Sequence, residues 1–221
     1  MCGRYSQTKG WDGLAPRFKL EGAPRPIDRR YNIAPSHQAA VIGLRAGKRA
    51  ITQMRWGLIP SWVKDPKGES CPINARAETL ALKPAFKTLL ARRRCLVPAD
   101  GFYEWKKEGS RKVPMRFHLP VPVAFAFAGL WDKWRGPDGK EIASFTIITT
   151  RPNDLCRQVH DRMPAILAEG EESAWLDPSA DPARLLPLLR PYEGEMYCHE
   201  VSPFVNNPAN DELECIIPIS R

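Results

Sequence analysis

The residue with the most distinctive chemistry stands at the second position. Cys2 follows Met1, and a small side chain there commonly permits removal of the initiator methionine. The product is an N-terminal cysteine, with an α-amine and a thiol on one residue. An α-amine titrates near ~7.7, against ~10.4 for a lysine, so a useful fraction is neutral and nucleophilic at pH 7. Such an amine condenses with an aldehyde to an imine, releasing water. The thiol of the same residue then attacks the imine carbon and closes a thiazolidine ring. Both nucleophiles are preset, so the second attack is intramolecular and fast. A cysteine at position 2 is commonplace by itself, and its weight depends on what the fold brings to it.

The elements available to do so are mostly short strands. Alternating or apolar runs mark Gln38 to Leu44, Ile51 to Leu58, Gly101 to Lys106 and Val113 to Leu119 as strands. Val123 to Leu130 and Ile142 to Thr149 are apolar enough to be central. Between these two, Gly136-Pro137-Asp138-Gly139 is a turn, because Pro fixes one φ and Gly permits a positive one. It predicts a hairpin. Helices are predicted over Pro84 to Arg93, with Pro in the first turn, and over Pro152 to Val159, Glu171 to Leu176 and Pro182 to Leu189. Strands mixed with isolated helices exclude a regular strand–helix alternation and predict an α+β domain on antiparallel sheet. No composition break or repeat divides the chain, so residues 1–221 are read as one domain. The polar segment Lys64 to Ser70 reads as the most flexible loop.

Composition narrows the partners. The chain carries a net charge of +8 and a pI near 9.3, which favours a polyanion, nucleic acid first. Seven Trp residues suit single strands, since bases stack on rings while cations track phosphates. The 22 prolines are scattered, as expected of ordered loops between short elements. The six cysteines form no C-x-x-C pair and the four histidines no ligand spacing, so neither a metal site nor a cofactor is expected. The polar start of the chain has no signal-peptide core, and no apolar run approaches a membrane span of ~20 residues. A reducing cytoplasmic setting with free thiols, no membrane partner and a monomer are the expectations.

Six segments in order then carry a resemblance. They are Met1-Cys2-Gly3-Arg4-Tyr5, Arg30-Tyr31-Asn32-Ile33-Ala34-Pro35, Arg55-Trp56-Gly57-Leu58-Ile59-Pro60, Asn74-Ala75-Arg76-Ala77-Glu78, Gly101-Phe102-Tyr103-Glu104-Trp105 and His160-Asp161-Arg162-Met163-Pro164. Together they resemble the SOS-response-associated peptidase (SRAP) family over almost the whole chain. The resemblance implies a barrel-like, mainly antiparallel sheet with short peripheral helices. It implies shielding of abasic sites in single-stranded DNA through a thiazolidine to Cys2, and a thiol autopeptidase that removes its own Met1. It implies Cys2, Asn74, Glu104 and His160 as catalytic residues, in a cytoplasmic protein that joins the nucleoid when bound.

Each implied residue has a physical reason. His160, near ~6.5 if unperturbed, can move the proton that opens the closed sugar. Glu104 can supply acid to imine formation if Phe102 and Trp105 raise its pKa. Asn74 can accept from the α-amine and donate to a sugar oxygen without competing for protons. Arg4, Arg76 and Arg162 lie within two residues of a catalytic position and suit phosphate contacts. Trp62 and Trp105 suit stacking on flanking bases, with Val63 where the family carries a second tryptophan, whereas Trp56 and Trp131 read as core. Asn32, Pro35, Thr149 and Thr150 are implied at the DNA groove by resemblance alone. Arg92-Arg93-Arg94 reads as a solvated helix end. Two alternatives stay open. A cysteine peptidase acting in trans would cleave casein, and a plain single-strand binder would keep its affinity but form no crosslink in any variant.

Overall fold

The computed structural model describes residues 2–64, 66, 71–121 and 123–219. Most of the segment Lys64 to Ser70 read as a flexible loop therefore lies outside the described residues. The strands are β1 (Tyr5–Gln7), β2 (Arg30–Ile33), β3 (Gln38–Arg45), β4 (Lys48–Trp56), β5 (Asn74–Arg76), β6 (Arg94–Ala99), β7 (Gly101–Glu108), β8 (Arg111–His118), β9 (Phe125–Arg135), β10 (Glu141–Thr150), β11 (Met163–Pro164), β12 (Ile166–Leu167) and β13 (Tyr197–Glu200). The helices are α1 (Trp11–Phe18), α2 (Pro84–Arg92), α3 (Asp154–Arg157), α4 (Glu172–Leu176) and α5 (Pro182–Leu185). No helix among the described residues is long and apolar enough to cross a membrane.

Strands β10, β4, β3, β6 and β9 pair in that order, and β9 pairs back onto β10, so five strands close a barrel. Closure removes the unpaired edges that would otherwise need cover. A second sheet, ordered β13-β8-β7-β1-β2, lies against it. Among the described residues all of its pairings are antiparallel, and only β10–β4 and β10–β5 run parallel. The α+β expectation of one barrel-like, mainly antiparallel architecture with short helices holds.

The core follows the period of the strands. Ile42, Leu96, Leu130 and Ile148 pack in one cluster with Leu14 and Phe18 of α1, Leu89 of α2 and Trp175 of α4. Their neighbours Val41, Val97, Phe127 and Ile147 face a second cluster, with Tyr5, Phe102 and Phe117 of the other sheet. The Tyr5 ring meets Trp56 edge-on at 5.2 Å, and Phe102 stacks on Phe117 at 5.0 Å. Gly129 is needed inside this packing, since a Cβ there would sit 2.9 Å from Cys95 Sγ. All six cysteines are free thiols.

The 136–139 turn joins β9 to β10 in register Arg135↔Glu141, as expected. Three expectations need correction. The Pro152 to Val159 helix contracts to Asp154–Arg157, because Val159 and His160 both turn back onto the Cys156 carbonyl instead of continuing it. Arg94 is not a solvated helix end. It is buried, and its guanidinium donates to Leu90 and Ala91 at the end of α2 and to Trp175 and Asp177 at the end of α4. It thus satisfies carbonyls that a helix terminus leaves open. Trp131 is core only in part: it is half-buried against the second cluster, with Arg93 lying 4.9 Å from its ring centre.

Candidate active site

The beginning of the chain is laid along β7. Beyond the Tyr5↔Phe102 pair, Tyr103 N–H donates to the Arg4 carbonyl at 3.0 Å, so residues 2–4 continue antiparallel to 103–105. This carries Cys2 to Glu104. The Cys2 carbonyl accepts from Asn74 Nδ2 at 2.8 Å. Asn74 is held there by β5, whose parallel register with β10 sets Asn74 opposite Ile147. The Cys2 thiol is fully buried and directed at the Arg4 carbonyl, 3.7 Å away. Burial and the neighbouring Glu104 charge push its pKa far up, so it rests as the protonated thiol.

His160 comes in from the barrel side, on the tight turn after α3. Asn153 starts that turn by accepting from Cys156 N–H at 2.9 Å, and His160 N–H closes it on the Cys156 carbonyl at 2.8 Å. The ring Nδ1 is 3.0 Å from both the Arg162 backbone N–H and Asp161 Oδ1. It cannot accept from the first and donate to the second at once. Burial lowers the His160 pKa, so the neutral ring that accepts from Arg162 N–H is favoured. The ring proton then sits on Nε2, which lies 3.9 Å from Glu104 Oε2. Glu104 is itself buried. That burial, with the charge of Asp161 in support, pushes its carboxyl up to about 7.

The sheet and the barrel thus bring Cys2, Asn74, Glu104 and His160 to one place. Glu104 and His160 open to solvent in a cleft of about 430 Å³ that Trp105, Lys107, Lys112 and Asn206 also line. A carboxyl pushed up to about 7 and an imidazole held below its ordinary value line that cleft, and Asn74 clamps the backbone of the buried Cys2 behind it. That set can move protons at a carbonyl carbon without metal ligands.

The surrounding residues divide by what they touch. Trp105 is half-buried beside the cleft, its Nε1 donating to Asn206 Oδ1 at 2.8 Å. Trp62 is 68% exposed, on the turn before Val63, which is buried and accepts from Trp134 Nε1. The Arg76 side chain is exposed and has no hydrogen bond or ion pair among the described residues. Arg4 is tied into the protein, donating to Asn32 Oδ1 and the Val205 carbonyl at 2.7 Å and to Asn206 O at 3.1 Å. Arg162 forms a two-bond pair with Glu78 at 2.8 and 2.9 Å and donates to Thr149 O at 2.7 Å.

Four residues expected at a groove make contacts within the protein. Asn32 is fully buried, and its amide binds the Val205, Asn207 and Asn210 carbonyls, which fastens the C-terminal segment to β2. Thr149 and Thr150 are buried at the end of β10, opposite Pro164 and Met163. Pro35 is half-buried in a turn closed by His37 N–H on the Ala34 carbonyl at 3.1 Å. Of the residues that sequence reasoning missed, Lys107 was findable, since strand alternation puts it on the Trp105 face. Asn206 and Lys112 reach the cleft only through long-range packing.

Three comparisons bear on this arrangement. The family model described as SOS response associated peptidase (SRAP) matches residues 1–208. The chain belongs to the SRAP family. It is 43% identical to the abasic site processing protein YoqW of Bacillus subtilis (strain 168), over 98% of this chain and 99% of that one. It is 36% identical to the abasic site processing protein HMCES of Gallus gallus, over 92% of this chain and 69% of that one. A crystal structure of a protein from Bacteroides thetaiotaomicron superposes with a TM-score of 0.90 at 28% identity, covering 99% of this chain and all of that one. The SRAP match spans β1, β5, β7 and the His160 turn, which are the elements that build the site.

Proposed function

We propose that this SRAP protein recognises abasic sites in single-stranded DNA and bonds to them covalently through Cys2 once Met1 has been removed. The observation that carries the reading is the convergence of the Cys2 backbone, clamped by Asn74, with a raised carboxyl and a lowered imidazole at the base of one cleft. The abasic site processing relatives support the same substrate.

The chemistry balances on these groups. The abasic sugar is mainly a closed hemiacetal. Neutral His160 takes the hydroxyl proton at the anomeric carbon and returns one to the ring oxygen, which opens the aldehyde. The α-amine of Cys2 adds to that carbon. Protonated Glu104 gives its proton to the departing hydroxyl, and water leaves an iminium. The resulting carboxylate takes the thiol proton, and sulfur attacks the iminium carbon to close the thiazolidine. Glu104 ends protonated again, and the net loss is one water. Closing the ring removes the iminium through which β-elimination would break the strand, so Cys2→Ser should leave more cleaved DNA than the unaltered protein.

Asn74 serves by fixing the Cys2 backbone through its amide N–H₂, leaving Oδ1 to receive the amine. Arg76 is the freest of the arginines to meet a phosphate. Arg4 and Arg162 contribute through N–H groups not already bonded, and Trp62 and Trp105 through stacking. Removal of Met1 either falls to the site itself, Cys2 attacking the preceding carbonyl, or to an aminopeptidase. Retention of Met1 in Glu104→Gln would assign it to the site. On this reading the protein is cytoplasmic and a monomer on DNA.

Intact mass before and after incubation with an oligonucleotide carrying one abasic site tests the reading. The expected result is a starting mass short by one Met and a heat-stable adduct of protein plus DNA minus water, abolished in Cys2→Ala. Protein lacking Met1 that forms no adduct overturns it.

A further inference from the structure

The β7–β8 hairpin carries an arrangement that the chemistry above does not use. Lys107 of β7 and Lys112 of β8 are directly opposed in register. Both are exposed, and neither makes an ion pair or side-chain hydrogen bond among the described residues. Like charges directly opposed on a sheet destabilise it. The nearest acid along the strand, Glu108, is bonded by Lys106 at 2.9 Å. Lys107 and Lys112 nevertheless line the same cleft as Glu104 and His160. Strand alternation sets Lys107 on the Trp105 face, two residues or about 7 Å further along β7. An uncompensated cation pair beside an aromatic platform has the chemistry of a site for a bridging anion.

We propose that Lys107 and Lys112 form a phosphate subsite that takes the sugar–phosphate backbone where the strand passes Trp105 out of the cleft. The inference rests on the reading of the site as one for single-stranded DNA. It adds which side of the cleft the strand leaves by and which residues hold it. A phosphodiester between the two ammonium groups neutralises the repulsion that the free protein bears. Lysine suits this role as a compact charge with rotatable donors, needing no fixed base geometry. The subsite therefore adds affinity without base preference.

The test uses the full chain and a single-stranded oligonucleotide with a tetrahydrofuran abasic analogue, which has no aldehyde and reports binding alone. Affinity is measured by fluorescence anisotropy across a salt series. Each phosphate neutralised on a single strand contributes about 0.7 to the slope of log K against log salt. K107Q/K112Q should flatten the slope by about 1.4 if each lysine meets one phosphate, and K107R/K112R should restore it. The melting temperature of free K107Q/K112Q should be equal to or above that of the unaltered protein, since a like-charge pair has gone. An unchanged slope, or failure of the arginine pair to restore it, overturns the subsite. Adduct formation on an aldehyde-bearing strand is scored separately. Adduct with an unchanged slope sinks only this inference, whereas no adduct with a flattened slope sinks the covalent reading and leaves the subsite standing.

Discussion

Glu104→Gln is the perturbation that separates burial from chemistry. Glu104 is buried on β7, and its carboxyl is pushed up to about 7 from an ordinary 4.5, mainly by that burial. A shift of that size is worth about 3 kcal/mol of preference for the neutral form. The folded state therefore holds a proton that the unfolded chain releases between those two values. Stability from this group is complete below the unfolded value and is lost as pH rises through the folded one. Glutamine keeps the shape and cannot ionise. The stability difference, Glu104→Gln minus unaltered, should grow by about 2 kcal/mol between pH 5 and pH 8. For a chain of this size that is roughly 4–8 °C in melting temperature. Thermal melts of both proteins at each pH measure it. The chemistry is read independently, on protein whose mass confirms that Met1 is absent. There Glu104→Gln should slow adduct formation by at least ~10²-fold. Parallel pH–stability curves for the two proteins would falsify the burial argument, and with it the raised acid on which the proposed water-loss step depends.

Other perturbations follow from single contacts. Asn74→Ala removes the 2.8 Å bond to the Cys2 carbonyl. It should slow adduct formation by ~10–100-fold through misplacement of the nucleophile, with binding of the tetrahydrofuran strand unchanged. Trp62→Ala should leave the melting temperature alone, because the ring is 68% exposed. It should weaken single-strand binding by ~1–3 kcal/mol in anisotropy titrations, and an unchanged affinity would remove Trp62 from the interface. Asp211→Ala deletes the carboxylate that pairs with Arg30 and accepts from the Tyr31 and Asn32 backbone N–H groups. Urea unfolding should show a loss of about 3 kcal/mol, the cost of donors left short of a charged acceptor.

What was legible in the sequence depended on where each signal was local. The strands β3, β4, β7, β8, β9 and β10 were readable because each combines alternation or a long apolar run with nearby turn residues. β6 was hidden. Its run Arg94–Ala99 is buried throughout and contains Pro98, which argues against a central strand. Pro98 is tolerated because the strand's bridge to β3 is at Leu96, leaving β9 as the partner at Pro98↔Ala126. α1 was hidden for a similar reason. Gly13 and Pro16 weaken it locally, and burial of Leu14 and Phe18 sustains it. At the site, the identities of Cys2, Asn74, Glu104 and His160 came from motif order. Their distances could not, because the four arrive on four separate parts of the chain. The roles of Asn32 and Arg4 were the least legible, since both are spent on the 205–210 segment far along the chain.

The electrostatic plan of the site suits the proposed chemistry in a basic protein. Two of its arginines are matched or spent before they reach Glu104. Arg162 is matched by Glu78 at 2.8 Å, and Arg4 is spent on neutral carbonyl and amide oxygens. Had either charge faced Glu104 directly, it would have favoured the carboxylate and pulled the pKa down. Burial wins instead, and the carboxyl stays raised while the neighbouring imidazole is lowered. Glu104 then lies near neutrality, where it can give and take a proton at little cost, and the neutral His160 ring is the form favoured beside it. The buried Cys2 thiol stays protonated for the same reason. In the proposed sequence, loss of the Glu104 proton to the departing hydroxyl makes the base that the thiol needs. The proposed order, amine first and sulfur second, rests on this buried carboxyl and thiol, while the ammonium groups of Lys107 and Lys112 line the same cleft further along the hairpin.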